Sequence, residues 1–162
     1  MIKRAGVRMG IVLAGCLVGS FAALHQAEAA TSRSGVISKF DGVDEIVFAC
    51  TSTTSYATVP QMTRTFTVSG SASPVVVTFS GAASLSGSEA FDTGFVRLTI
   101  DNAQQTPGEV PFISVGESSS AHAFTWQTKS LSTGTHTARI QWRTDLGSSF
   151  CLDARSLVVL HR

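Results

Sequence analysis

The sequence predicts an all-β fold, an antiparallel β-sandwich or jelly roll of about eight or nine strands. Three observations predict it. Apolar and polar residues alternate with a period of two in short segments, which puts successive side chains on opposite faces of a strand. Turn-forming Gly, Pro, Asn, Asp and Ser residues separate these segments. No window shows the sustained i, i+3, i+4, i+7 spacing of an amphipathic helix.

The strands follow from this pattern in chain order. Alternation marks residues 63–68, 96–100, 124–127 and 135–144, and continuous apolar runs mark more central strands at 46–49, 75–77 and 157–160. Two weaker candidates are 36–40 and 111–115. Turns are expected at 41–42, 69–70, 80–81, 101–102, 107–108 and 132–134, and long polar loops at 81–94 and 116–121. Trp126 and Trp142 fall on the inward phase of their strands, so both are expected in the core.

The first 29 residues have the pattern of a secretory signal peptide, which leaves a single domain at residues 30–162. The basic start Met1–Arg8 precedes the apolar run Ile11–Leu24, and Ala27-Glu28-Ala29 fits a small-x-small cleavage site. An alternative is lipid attachment at Cys16, because the residues around it resemble a bacterial lipobox. We therefore expect a secreted protein, extracellular or periplasmic.

Composition limits the partners of the domain. The 162 residues carry a net charge of +1, and without residues 1–29 nine basic and ten acidic residues remain, a charge of −1. No basic stripe is present to release counterions from a phosphate backbone, so no nucleic-acid partner is expected. After the leader, no apolar run approaches the roughly 20 residues that span a bilayer, so no transmembrane segment is expected in the mature protein.

Two cysteines remain after the leader, Cys50 and Cys151. Neither has a second cysteine or a histidine at metal-ligand spacing, and the expected compartment is oxidising. We therefore predict a disulfide that joins an early strand to the segment just before the last strand.

The closing segments carry a family resemblance. Leu131-x-x-Gly134-x-His136-x-Ala138-x-Ile140-x-Trp142, followed by Ser156-Leu157-Val158-Val159-Leu160, resembles the last hairpin of secreted jelly rolls. C1q/TNF-like domains and carbohydrate-binding modules both end in this way. The resemblance implies the fold, and its C1q/TNF-like form implies a homotrimer; it does not imply a ligand.

Few residues suggest chemistry. Tyr56 lies in a polar stretch where its ring is a candidate sugar contact, and His122 sits at a loop–strand boundary. Glu89 and Asp92 are the carboxylates that a hydrolase would need. His136 shares the inward phase of its strand and is expected to be hydrogen-bonded there, whereas the penultimate His161 is expected at the surface.

No metal site or cofactor is predicted. The acidic cluster at Asp41, Asp44 and Glu45 lacks the spacing of a calcium loop, and no zinc motif is present. The main functional hypothesis is a non-catalytic binding or structural module with an extracellular protein or glycan as its partner. The alternatives are a small carbohydrate-binding module and, third, an extracellular hydrolase using Glu89 and Asp92.

Overall fold

The computed structural model describes residues 39–117, 119–128 and 130–162. The predicted signal peptide, its cleavage site, Cys16 and most of the weak strand candidate at 36–40 lie outside these residues. In the described part, all nine regular elements are β-strands. No helix in that part has the length and apolarity of a membrane span.

The nine strands have the following bounds: β1 Lys39–Glu45, β2 Ala49–Thr51, β3 Ala57–Val68, β4 Val76–Ser86, β5 Thr93–Ile100, β6 Ala103–Ser114, β7 Ser120–Gln127, β8 Gly134–Thr144 and β9 Ser149–His161. They form two antiparallel sheets. The first sheet has the order β1-β9-β4-β7, with the short β2 also paired to β9. The second sheet has the order β3-β8-β5-β6. The predicted β-sandwich is confirmed.

One apolar core lies between the two sheets, built from the inward residues of each strand. Trp126 and Phe79 come from the first sheet, and Ile140 and Leu98 come from the second; all four are fully buried. Trp142 of the second sheet lies with its ring centroid 5.4 Å from that of Phe150 in the first sheet. The inward positions predicted for both tryptophans are therefore confirmed.

The predicted disulfide is confirmed. Cys50 and Cys151 lie directly opposite each other in the β2–β9 register, bonded through sulfur, with their Cα atoms 4.0 Å apart. Cys151 belongs to the last strand itself and not to a segment before it. The bond therefore holds the three-residue β2 against the longest strand of the first sheet.

Several predicted boundaries were wrong because strands here are longer than the apolar pattern shows. Asp41-Gly42 lies inside β1 and Ser80-Gly81 inside β4, where ladder hydrogen bonds carry the chain through both predicted turns. The long polar loop predicted at 81–94 contracts to residues 87–92 between β4 and β5. Pro107-Gly108 also lies within a strand, at an irregularity of β6.

The apolar run at 46–49 was wrongly predicted to be a central strand. Ile46, Val47 and Phe48 form the connection between β1 and β2 and are exposed by 79%, 66% and 62%. The carboxylate of Glu45 accepts hydrogen bonds from the backbone N–H groups of Ile46 and Val47, which turns the chain away from the sheet. Hydrophobicity alone therefore misplaced this segment.

Candidate functional site

The outer face of the second sheet carries three arginines, Arg97 on β5 and Arg139 and Arg143 on β8. Their strands are neighbours, and their register places Arg97 opposite Gln141 and Arg143 opposite Phe95. The residues that alternate with these arginines along each strand, such as Leu98 and Ile140, are buried on the opposite, core-facing side of the sheet. We call the surface formed by Arg97, Arg139, Gln141 and Gln104 the arginine face.

Arg143 lies beside this face and is neutralised by acids. Its guanidinium donates to both carboxylate oxygens of Glu109, on β6, at 3.1–3.2 Å and to Asp145 at 2.8 Å. It also lies 4.5 Å from the ring centroid of Phe95. The Tyr56 hydroxyl donates to the same Glu109 carboxylate. Arg143, Glu109, Asp145 and Tyr56 therefore form a closed network.

The pKa values of this network reflect its contacts. Burial, reinforced by the hydrogen bond to Glu109, raises the pKa of Tyr56 to about 12. The Tyr56 hydroxyl and then the Arg143 guanidinium lower the pKa of Glu109. Tyr56 is therefore a neutral hydrogen-bond donor and Glu109 an ionised acceptor across the physiological pH range.

Tyr56 is half-buried, and its ring is partly occupied. The Arg97 guanidinium lies over it, 3.6 Å from the ring centroid, in a cation–π contact. One face of the ring is thus covered. The sequence predicted Tyr56 as a sugar contact with an exposed ring; the structure shows the ring half-buried with Arg97 stacked on one face, and the sugar contact itself stays a prediction.

Arg97 and Arg139 are held by neutral groups. Arg97 donates from Nε to Gln141 Oε1 at 2.9 Å and from Nη1 to Gln104 Oε1 at 2.8 Å. Arg139 donates from Nη1 to Asn102 Oδ1 at 2.9 Å. Neither guanidinium forms an ion pair with any carboxylate in the described part of the chain. Both cations are therefore fixed in place without being neutralised.

A groove of about 560 Å³ lies next to the arginine face, where β6 passes the end of β7. The described residues that line it are uncharged: Gln104, Gln105, Thr106, Pro107, Gln127, Thr128, Ser130 and Leu131. Gln104 belongs to both surfaces, since it lines the groove and accepts a hydrogen bond from Arg97. The groove and the arginine face are therefore continuous.

Asp92, one of the predicted hydrolase carboxylates, is fully buried and bound to backbone. It accepts from the N–H groups of Thr93 at 2.7 Å, Asp145 at 2.9 Å, Leu146 at 2.8 Å and Ser148 at 2.7 Å. Burial alone would raise its pKa, but these donors outweigh burial and lower the pKa of Asp92 to about 2. Its carboxylate fixes the loop between β8 and β9.

Glu89, the other predicted carboxylate, is exposed in the loop between β4 and β5. It borders an open depression of about 230 Å³ with neighbouring residues of its own loop and with Leu146, Gly147 and Ser148 of the β8–β9 loop. Its backbone carbonyl accepts a weak hydrogen bond from the N–H of Asp92 at 3.4 Å. The two side chains therefore occupy different environments, one in solvent and one in the interior.

The three histidines within the described residues differ in their surroundings. His122 is half-buried, with Nε2 2.7 Å from the Ser120 hydroxyl and its ring 5.4 Å from that of Phe112. His136 is buried and hydrogen-bonded, as predicted. His161 was wrongly expected at the surface: it is 2% exposed, and its Nε2 lies 2.8 Å from a carboxylate oxygen of Asp41. Strand β1 covers it, which the sequence pattern could not show.

The acidic cluster at the start of the domain is distributed along β1. Asp41 faces His161, whereas Glu45 binds backbone N–H groups in the following turn. Within the described residues, no group of three His, Cys, Asp or Glu side chains is placed to hold a metal ion.

Sequence reasoning missed the arginine face. The alternation in β8 had placed Arg139, Gln141 and Arg143 on one polar side of the strand. It gave no indication that Arg97 and Gln104 lie beside them, because that adjacency depends on the order β8-β5-β6.

No family model matches this chain, and no curated protein matches it. It is similar to the solved structure described as "EclA C-terminal domain; sugar-binding protein", with a TM-score of 0.44, 12% identity and coverage of 74% of this chain and 78% of that one. With TM-scores below 0.5, neither this likeness nor the two that follow carry an argument about ligand or activity.

Two larger proteins contain similar domains. Dimeric latent PorU from Porphyromonas gingivalis gives a TM-score of 0.39 and 15% identity over 75% of this chain. A Paenibacillus sp. cycloisomaltooligosaccharide glucanotransferase, complexed with cycloisomaltoheptaose, gives a TM-score of 0.36 and 22% identity over 71% of this chain. The matched regions span 13% and 18% of those two chains, respectively.

Proposed function

We propose that this protein is a non-catalytic glycan-binding module whose binding site is the groove between β6 and the end of β7. The observation that carries the proposal is the lining of the groove, in which neutral amide and hydroxyl side chains surround a proline ring and a leucine. Its volume of about 560 Å³ lies within the range of ordinary small-molecule sites, about 300–1,000 Å³.

The chemistry of this lining suits a sugar. Each glutamine amide both donates and accepts hydrogen bonds, as does each hydroxyl, and a pyranose presents many hydroxyls that do the same. Pro107 and Leu131 supply apolar surface for the C–H groups of a sugar ring. Uncharged partners also avoid the cost of desolvating a charge when ligand displaces water.

The hydrolase alternative finds less support in the carboxylates. A general acid must hold a proton near neutral pH, and the pKa of Asp92 is about 2. Its oxygens are already engaged by four backbone N–H groups. We therefore assign Asp92 a structural role within this proposal.

A glycan array probed with the purified protein tests the proposal. Gln127→Ala removes an exposed groove amide, and we expect it to weaken binding of any positive glycan by about tenfold. Thr125→Ala is the matched control, since it lies two residues earlier on β7 and does not line the groove. Absence of binding across neutral, uronate and sulfated glycans would overturn the proposal, as would equal weakening by both variants.

A further inference from the structure

The arginine face holds two cations that the fold positions without neutralising. Among the described residues, the guanidiniums of Arg97 and Arg139 donate hydrogen bonds only to amide oxygens, from Gln141, Gln104 and Asn102. The remaining N–H groups of both guanidiniums have no protein partner among the described residues.

The two carboxylates near these arginines, Glu109 and Asp101, are hydrogen-bonded to other residues. Glu109 lies opposite Arg97 in the β5–β6 register, but its oxygens accept from Arg143 and Tyr56. Asp101 lies near Arg139, but its oxygens accept from the His136 ring and the Thr137 N–H. Neither acid forms an ion pair with Arg97 or Arg139, although the charge of Arg139 contributes to the lowered pKa of Asp101.

Arg97 and Arg139 lie on the neighbouring strands β5 and β8. Arg97 is directly opposite Gln141 and Thr99 is directly opposite Arg139, so the two arginines are diagonal neighbours on one face. Diagonal pairs of this kind are typically about 7–8 Å apart and within reach of long side chains. Two like charges carried by such neighbours repel each other when their side chains approach, and an anion bound between them would relieve that repulsion.

We infer that Arg97 and Arg139 bind the anionic group of an acidic sugar unit, a carboxylate or a sulfate, in a glycan that continues into the neighbouring groove. This inference rests on the glycan binding proposed above. Guanidinium groups present parallel N–H donors that match the paired oxygens of such anions. The Tyr56 ring packed against Arg97 and the amide of Gln141 beside Arg97 hold its guanidinium in one orientation.

The groove favours a glycan over another polyanion. Gln104 contacts Arg97 and lines the groove, so an anionic unit at the arginines would place adjoining units against neutral amides. A nucleic acid or an acidic peptide offers few hydroxyl groups to the described amide and hydroxyl side chains of the groove. An acidic saccharide that alternates charge with hydroxyl groups fits both surfaces.

Matched ligands provide the test. We expect polygalacturonate to bind at least tenfold more tightly than fully methyl-esterified polygalacturonate, which has the same backbone without the charge. Dextran sulfate against dextran tests the sulfate in the same way, and whichever pair shows the preference identifies the anion. Isothermal titration at low salt measures each affinity, and added salt should weaken the charged ligands only.

Variants connect the preference to these residues. Arg139→Gln should lose about tenfold in affinity for the charged ligand and little for the neutral one. It removes one surface hydrogen bond, to Asn102, so an unchanged melting temperature is expected. Arg162→Gln makes the same charge change directly after β9, away from the arginine face, and should leave binding unaltered.

The outcomes separate this inference from the proposal beneath it. Equal binding of charged and neutral glycans, or loss of both with Arg139→Gln, overturns the anionic preference and leaves glycan binding standing. No binding to any of the four glycans on a folded protein overturns both. Polyglutamate binding as tightly as polygalacturonate also overturns the inference, because it shows attraction to polyanions in general.

Discussion

The carboxylate of Asp92 accepts four backbone hydrogen bonds, three of them from the loop between β8 and β9. Buried N–H groups that lose an ionised acceptor cost more than ordinary ones, because they have no water to replace it. The side chain thus attaches the start of β5 to the β8–β9 loop across the end of the sandwich. Its environment is that of a structural residue at a loop junction.

Asp92→Asn should destabilise the fold by about 2–4 kcal/mol, since one acceptor oxygen becomes an NH₂ group facing N–H donors. Chemical denaturation at neutral pH measures the change. Because its folded pKa is depressed to about 2, Asp92 contributes stability above about pH 4 and loses it as the pH falls toward 2. The difference between wild type and variant should therefore shrink over that range.

Glu89→Gln is the control for this experiment, because it neutralises an exposed carboxylate three residues earlier. Its effect on stability should stay within about 0.5 kcal/mol. An equal loss in both variants would contradict the structural role assigned to Asp92.

His136 and Asp101 form a hydrogen-bonded pair whose contribution to stability should depend on pH. The His136 Nδ1 lies 2.7 Å from Asp101 and its Nε2 lies 2.9 Å from the carbonyl oxygen of Ser132, so both nitrogens face acceptors. The Asp101 carboxylate and then the Ser132 carbonyl raise the pKa of His136. The imidazolium form is therefore favoured, and it joins the β5–β6 turn to the loop before β8.

The contribution of protonated His136 to the free energy of unfolding should be fully present below about pH 6.5. It should be lost as the pH rises through the raised pKa of His136. At Asp101, burial acts to raise the pKa, but the hydrogen bond from His136 and the other contacts outweigh burial and lower it. The stability that the ionised Asp101 contributes is therefore lost only in acid. We expect His136→Gln to remove the alkaline decline in melting temperature measured from pH 5 to 9. His122→Gln should keep that decline; if it disappears there instead, the assignment to His136 is wrong.

At the scale of elements, β2 depends on a covalent bond. It has three residues and pairs only with β9, through the segment that includes Cys151. Such a short pairing contributes little by itself, and the exposed turn before it adds no packing. The disulfide closes a loop with a sequence separation of 101 residues and keeps β2 in register.

Cys50→Ala combined with Cys151→Ala should therefore lower the free energy of unfolding by up to about 4–5 kcal/mol, the chain-entropy value for a loop of this length. Removing both cysteines avoids leaving an unpaired thiol. Thermal melts with and without reductant measure the effect. Reductant should lower the melting temperature of the wild type and leave the double variant unchanged; a reductant-insensitive wild type would contradict the prediction.

At the scale of the whole molecule, both sheets share one core. Trp126 reports on the first sheet and Trp142 on the second, and both are buried. Single-tryptophan proteins, Trp126→Phe and Trp142→Phe, should each unfold with one fluorescence midpoint that coincides with the loss of strand signal in circular dichroism. Separate midpoints within either variant would show that the sheets unfold independently.

The homotrimer implied by the resemblance to C1q/TNF-like domains stays a prediction. Light scattering coupled to size-exclusion chromatography at micromolar concentration measures it directly. A mass three times that of one chain is the expected result, and a single species with the mass of one chain would exclude it.

The sequence by itself determined the class of fold, the inward position of both tryptophans and the disulfide. Period-two alternation is a local property, so β8 could be read from ten consecutive residues. The cysteine pairing followed from the two cysteines that remain after the predicted signal peptide and from the oxidising compartment that such a peptide predicts. These features need no knowledge of which strands are neighbours.

The tertiary structure alone decided which side chains are neighbours in space. The strand order placed Arg97 next to Gln141 and beside Gln104, and β1 buried His161. Asp92 has a structural role because the β8–β9 loop, more than fifty residues later in the sequence, directs backbone N–H groups at the Asp92 carboxylate. The candidate site is built from residues far apart in sequence, and local patterns hold no information about contacts made across sheets.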